Sequence, residues 1–125
     1  MIDPQVFIDK MNDLHPRTSA LEAEVSEEFH PHPPGINSLC GRIGWSISEN
    51  IDSIENAADI FQLIEEALSS GTDELRNAVA TGLIEAMISE SDRHPGKWSG
   101  ISPRLGPQSA AYAETWIAFT ETGEM

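Results

Sequence analysis

Three side chains in the first third of the sequence are of types that ligate zinc or copper. His30 and His32 flank a single proline, and Cys40 follows them. Imidazole and thiolate groups are common ligands of both metals. The chain nevertheless has no second cysteine, and Cys40 falls on the apolar stripe of a predicted helix, where a thiol packs as a small hydrophobic group. We therefore predict a buried cysteine, with no bound metal and no cofactor.

Other arrangements for catalysis are equally incomplete. A nucleophilic Cys40 would need an accessible thiol near a cation, and only Arg42 lies close to it in the sequence. The adjacent acids Glu27-Glu28 and Glu65-Glu66 would need a desolvated pocket, but neighbouring residues on a helix point in different directions. Glycine-rich phosphate loops are absent from the sequence. The sequence therefore predicts a protein that is not an enzyme.

Charge is the strongest signal in the composition. The 125 residues include 21 Asp and Glu against 7 Lys and Arg, which gives a net charge of -14 at pH 7. Such a negative field attracts basic surfaces and speeds their association, and it opposes binding to the phosphates of nucleic acids. The acids are spread along a chain that is 39% hydrophobic, as in a folded protein. We therefore expect a cationic protein partner.

Length and cysteine content bound the organisation of the chain. A length of 125 residues suits one domain, 1–125, with a single core. One cysteine fits a reducing compartment. The first residues, Met1-Ile2-Asp3-Pro4, lack the basic and apolar segments of an export signal, and no run of eighteen apolar residues is present. We expect a cytoplasmic protein without a membrane span, and its oligomeric state stays open.

The spacing of apolar residues predicts secondary structure. They recur at helical intervals, and the alternation typical of strands is scarce, which predicts an all-α fold of five to six helices in a bundle or an irregular stack of hairpins. The first helix should begin at an Asp3 N-cap followed by Pro4 and end at His15-Pro16. Thr18 or Ser19 should cap the second helix.

The second and third helices are joined by a proline-rich segment. The second helix has a narrow apolar stripe formed by Leu21, Val25 and Phe29. Residues 30–35 cannot continue it, because repeated prolines remove backbone donors, and we predict a rigid extended link. In the third helix the small residues Gly41 and Gly44 favour the close approach of a neighbouring helix.

The clearest helix comes next, from Ile54 to Leu68, and Thr72 or Asp73 should cap the one that follows in an antiparallel hairpin. Residues 91–107 contain several glycines and prolines and predict an ordered loop, after which Gly106-Pro107 starts the last helix.

The three tryptophans have different surroundings. Trp116 falls on the apolar side of the last helix and is predicted to lie in the core. Trp98 lies in the predicted loop near Arg93 and Lys97 and is a candidate for surface recognition, with packing against the core as the alternative. Trp45 has no clear direction from the pattern.

The second half of the chain resembles a known class of proteins. The run from Leu75 to Ala86, followed after a Gly/Pro loop by Leu105-Gly106-Pro107-Gln108-Ser109 and a helix with Tyr112 and Trp116, is similar to small acidic helical immunity proteins of bacterial polymorphic toxin systems. The likeness covers roughly the C-terminal half and includes no catalytic signature. It implies a cytoplasmic antidote that binds a toxin domain, often a nuclease, and blocks its active site or another essential surface.

This hypothesis predicts which residues contact the partner. A toxin that cleaves nucleic acid presents basic groups to phosphates, and carboxylates can occupy the same site. The predicted contact residues comprise four acids placed on the fourth helix, two acids further along and one tryptophan: Glu55, Asp59, Glu65, Glu66, Glu85, Asp92 and Trp98. Two alternatives are a helical adaptor that docks a partner in an apolar groove and a small enzyme or metal protein that uses His30, His32 and Cys40.

Overall fold

The computed structural model describes residues 1–122, which fold into seven helices and no β-sheet. The all-α prediction is confirmed, and the last three residues of the predicted domain, 123–125, lie outside the described part. The helices are α1 (Pro4–Leu14), α2 (Arg17–Phe29), α3 (Ile36–Glu49), α4 (Ala57–Ser70), α5 (residues 73–91), α6 (Lys97–Ile101) and α7 (Pro107–Thr122). Helix α5 joins the α-helical stretches Asp73–Asn77 and Glu85–Ser91 through a π-helical stretch, Ala78–Ile84.

The predicted number of helices was too low because the segment 91–107 is not a simple loop. It contains α6 and a 3-10 turn, Ser102–Arg104. Pro95 and Pro103 lie on either side of the five-residue helix, so neither proline interrupts it. Ile101 is fully buried and Trp98 packs against the core, so tertiary contacts hold this short helix in place.

The predicted start and end of α1 are confirmed. Asp3 caps the helix through its Oδ1, which accepts a hydrogen bond from the backbone N–H of Val6 at 2.8 Å, and Pro4 is the first helical residue. The helix ends at Leu14, directly before His15-Pro16. These features depend on neighbouring residues only, which is why the sequence predicts them well.

The predicted cap of α2 was wrong, whereas a predicted cap of α5 is confirmed. Helix α2 starts at Arg17, and Thr18 lies buried inside its first turn. The N–H of Ser19 is instead bound by Asn12 Oδ1 at 3.1 Å. At the start of α5, Thr72 Oγ1 accepts from the N–H of Leu75 at 3.2 Å, so Thr72 is the cap.

The link between α2 and α3 is a turn followed by an extended segment. The N–H of His32 donates to the carbonyl of Phe29 at 2.8 Å, and the chain extends from residue 33 to Gly35. The prediction of an extended link throughout 30–35 therefore fails at its first residues.

Helices α3 and α5 form the centre of the fold and approach closely. A Cβ atom on Gly44 would lie 2.1 Å from the backbone oxygen of Leu83, and one on Gly82 would lie 2.8 Å from the backbone oxygen of Asn37. Only glycine permits this distance, as the sequence predicted for α3. Helix α5 contacts α4 as well, but its most extensive contact is with α3.

The other helices surround this central pair. Helix α1 packs against α2 and α4, α2 packs against α3, and α4 packs against α7. One continuous cluster of buried hydrophobic side chains extends from Phe7 in α1 to Ala113 in α7. Within residues 1–122, none of the helices combines the length and apolar character that crossing a bilayer requires.

Candidate protein-binding surface

Two of the predicted acidic residues meet a third acid in a shallow cleft between α1 and α4. The cleft has a volume of about 300 Å³, and Asp59 and Glu66 of α4 line it together with Asp13 of α1. All three side chains are exposed. Positions seven apart share one side of a helix, which brings Asp59 and Glu66 together. Lys10 lies at the same cleft, so three carboxylates face one ammonium group.

Glu55 was assigned to the wrong element. It is exposed, as predicted, but it lies in the turn before α4, because Asn56 is the N-cap and its carbonyl accepts from the N–H of Ile60 at 2.9 Å. The side chain of Asn56 donates to the carbonyl of Leu14 at 3.1 Å and so ties this turn to α1.

Glu65 points away from the acidic cleft and binds the start of α7. Its carboxylate accepts from the N–H of Gln108 at 2.9 Å, from the N–H of Ser109 at 3.1 Å and from the Ser109 hydroxyl at 2.9 Å. Partial burial raises the pKa of Glu65, but these three donors more than compensate and hold its pKa below the ordinary value. This predicted contact residue therefore has an internal role, because it satisfies the free amides of a helix N-terminus.

Glu85 also has an internal partner. It is half-buried and accepts a hydrogen bond from the hydroxyl of Tyr112, which joins α5 to α7. Burial, together with this carboxylate, raises the pKa of Tyr112 well above its ordinary value. Asp92 is exposed just after the end of α5, and Trp98 is partly buried against the core, as in the second of the two predicted roles for this tryptophan.

The sequence analysis missed a buried acid, Glu90, on the inner side of α5. Only 2% of this residue is exposed. It accepts hydrogen bonds from the Ser48 hydroxyl at 2.8 Å and from Lys97 Nζ at 2.7 Å, and His94 Nε2 lies 3.0 Å away. Burial raises the pKa of Glu90, but Lys97, Ser48 and His94 together lower it below the ordinary value. Glu90 comes three residues after the core residue Met87, and residues with this spacing share one side of a helix. This spacing was the signal in the sequence that Glu90 is buried.

The Glu90 cluster lies beside a polar cleft of about 450 Å³ that Arg17 and Glu49 also line. A carboxylate held ionised by an ammonium group is a poor general acid. The three hydrogen-bonding partners of Glu90 come from α3, α6 and the α5–α6 connection. The buried carboxylate of Glu90 therefore holds α6 against the centre of the fold.

The candidate metal ligands do not converge. Cys40 is fully buried, as predicted, and burial raises the pKa of its thiol to about 12. His30 and His32 are exposed in the link between α2 and α3. Among the described residues, no three His, Cys, Asp or Glu side chains form a group that could hold a metal ion.

A second surface feature is an open apolar groove between α2, α3 and α5, with a volume of about 810 Å³. Two aromatic residues form its walls: Phe29, which is 43% exposed, and Trp45, which is partly buried. Phe29 was predicted to belong to the apolar stripe of α2. It is the last residue of that helix, just before the proline-rich link, and it therefore extends past the core. That position was the only sequence signal for the groove.

The fold and these surfaces define a small acidic all-α protein with an acidic cleft and an apolar groove on its surface. Residues 5–120 match the model of a family described as Domain of unknown function (DUF7674), and the chain belongs to this family. No curated protein and no solved structure matches the chain.

Proposed function

We propose that this protein is a non-catalytic immunity protein, which binds a cationic toxin domain in the cytoplasm through its acidic surface and blocks that domain. The observation that carries the proposal is the unpaired negative charge. Within residues 1–122, four ion pairs occupy only three carboxylates, those of Glu28, Asp73 and Glu90. Glu65 and Glu85 bind internal donors as well, and most of the other acids in this part of the chain remain available to a basic partner.

The acidic cleft between α1 and α4 is the part of this surface most suited to recognition. Asp13, Asp59 and Glu66 come from two helices that pack against each other, so the packing fixes the relative positions of their backbones. Preformed carboxylates of this kind bind Lys and Arg side chains without ordering a loop first. The resemblance of the C-terminal half to immunity proteins agrees with this interpretation but contributes no residue of the cleft.

The test is a pull-down with tagged protein from a lysate of the organism that encodes it, at low and high salt, with partners identified by mass spectrometry. We expect a basic protein in near-equimolar amount, and its capture should decrease as salt rises. Association that ignores salt, or recovery of no cationic partner, would refute the proposal.

A pair of matched variants separates the cleft from the net charge. Asp59→Lys/Glu66→Lys reverses two acids seven residues apart on α4, and Glu114→Lys/Glu121→Lys does the same on α7 with two exposed acids. Each carboxylate-to-lysine change adds two charges, so either pair moves the net charge from -14 to -10. We expect the first pair to weaken capture about tenfold and the second to weaken it little. Equal effects would mean that the cleft has no special role.

The adaptor function is the second candidate, and the apolar groove is the observation that favours it. An adaptor that docks a partner through that groove would retain its partner at high salt, because burial of apolar surface is not screened. The same salt series therefore distinguishes the two functions.

A further inference from the structure

We infer that the groove between α2, α3 and α5 is the specificity pocket of the proposed complex, and that it receives one apolar side chain from a basic helix of the cationic partner. This inference rests on the proposed function and names a second contact for it, away from the acidic cleft. Long-range charge attracts many basic proteins, so a cognate partner needs a further feature that others lack.

The residues that the two central helices contribute leave room in the groove. Helices α3 and α5 approach closely at Gly44, next to the groove-lining residue Trp45 in the sequence. The residues that line the groove from these two helices are mostly small, and they include Ser38, Gly41, Ala86 and Ser89. Phe29 and Trp45 are much larger and stand beside them. Small residues next to two aromatic ones leave space for a protruding apolar side chain of a partner.

The walls of the groove already bind cationic groups from the chain itself. The guanidinium of Arg42 pairs with the carboxylate of Glu28, which lines the groove. The guanidinium of Arg93 lies over the Trp45 ring, 5.4 Å from its centroid. Arg42 lines the groove itself, so a Lys or Arg of a partner would reach the carboxylate or the indole face by replacing Arg42 or Arg93. The free negative charge that a basic partner can match comes from helix α2.

Helix α2 adds further negative charge beside the groove. Glu24 lies one turn before Glu28 on the same side of the helix and is exposed, and Glu27 is exposed as well. The same charge disfavours a second copy of this chain as the occupant. Two molecules with a net charge of -14 repel each other, and pairing through this groove would bring two acidic α2 helices together.

The experiment is an NMR titration of the full chain with three synthetic helical peptides. The first carries lysines on one face and leucines on the other. The second has the same composition in an order that is not amphipathic, and the third has glutamate in place of lysine. The indole N–H signals of Trp45, Trp98 and Trp116 report where each peptide binds. We expect the first peptide to shift the Trp45 signal most and the acidic peptide to leave it unchanged.

Two substitutions with opposite expected effects complete the test. Phe29→Ala removes a groove wall and should weaken binding of the first peptide about tenfold. Arg42→Gln frees Glu28 and removes a like charge, so it should strengthen binding about threefold. Val6→Ala is the control, since Val6 is 39% exposed on α1 and does not line the groove. An increase in affinity cannot result from a damaged fold.

Three results would overturn the inference. The first is peptide binding that leaves the Trp45 signal unshifted and is unaffected by Phe29→Ala. The second is absence of peptide binding while salt-sensitive capture of a basic protein persists. The third is a dimer, detected by sedimentation and dissociated by Phe29→Ala, which would assign the groove to a second copy of this chain.

The first two results would reject the groove as the specificity pocket and leave the proposed function standing. Loss of salt-sensitive capture would reject the proposed function itself.

Discussion

Substitution of Gly44 by alanine should strongly destabilise the fold. The added Cβ would lie 2.1 Å from the backbone oxygen of Leu83, whereas ordinary contacts begin at 3.4 Å. The oxygen belongs to the backbone of α5 and cannot rotate away as a side chain could. Helices α3 and α5 must therefore move apart by about the 1.3 Å difference, which also loosens the packing of core side chains of α3, such as Ile43 and Ile47.

The magnitude follows from two opposing effects. Alanine is favoured over glycine inside a helix by about 1 kcal/mol, and overpacking of a core costs about 1–3 kcal/mol. Because the clash here is severe, we expect the upper part of that range and a net loss of about 2 kcal/mol in the free energy of unfolding. Small domains are stable by only about 5–15 kcal/mol, so this loss is easily measured.

Gly41 offers a matched control on the same helix. A Cβ there would meet only the oxygen of Gly82, at 3.9 Å, which is an ordinary contact. Gly41→Ala should therefore stabilise the protein by up to about 1 kcal/mol. Urea denaturation followed by circular dichroism measures the free energy of unfolding of both variants. If this free energy falls with urea concentration at the same slope in both, the surface exposed on unfolding is unchanged. If Gly44→Ala is as stable as Gly41→Ala, the close approach of α3 and α5 is wrong.

Three further predictions concern side chains with internal roles. Glu65→Ala should lower the free energy of unfolding by about 1 kcal/mol because α7 loses its cap, whereas Glu66→Ala should change it little; similar urea midpoints for the two would contradict this role. Because the pKa of Glu90 is lowered in the folded protein, its stabilising effect is complete above the ordinary value of 4.5 and is lost as the pH falls through the lower folded value. In Glu90→Gln the free energy of unfolding should therefore fall less steeply as the pH decreases, which denaturation curves at several pH values would measure. The same pH dependence in the variant and in the original protein would contradict this role of Glu90. Cys40 should resist a thiol-specific disulfide reagent in the native protein and react after unfolding, since the thiol is buried with a pKa of about 12; rapid native reaction would show that it is accessible.

The features that the sequence predicted correctly depend on neighbouring residues. The Asp3 cap, the Thr72 cap and the start of α7 at Pro107 each follow from residues within one turn of the helix end. The glycines of α3 were also informative, because a helix that tolerates two glycines has a packing reason for them.

The features that the sequence did not predict depend on distant residues. Glu65 has the same spacing as a solvent-facing acid, and only the position of Gln108 and Ser109, more than forty residues away, gives it an internal role. Short helices such as α6 have little intrinsic stability and form because of their tertiary contacts. The groove likewise requires three helices to be placed side by side, and apolar spacing identifies faces without identifying neighbours.

The π-helical stretch of α5 determines how the rest of that helix is oriented. Buried residues recur along α5 at intervals of four: Leu75, Val79, Leu83, Met87 and Ser91. In a regular α-helix each such step turns about 40° beyond a full circle, so the series would wind through about 160°. The wider π turns reduce this rotation and keep the series on the buried side.

If the stretch Ala78–Ile84 adopted regular α turns with the same number of residues, each residue would turn the helix further and the part of α5 after the stretch would be rotated from its present position. Glu85 would then turn away from Tyr112, and Glu90 would turn away from Ser48. The winding of the stretch, more than the identity of any one of its residues, sets the angular position of the acids that follow.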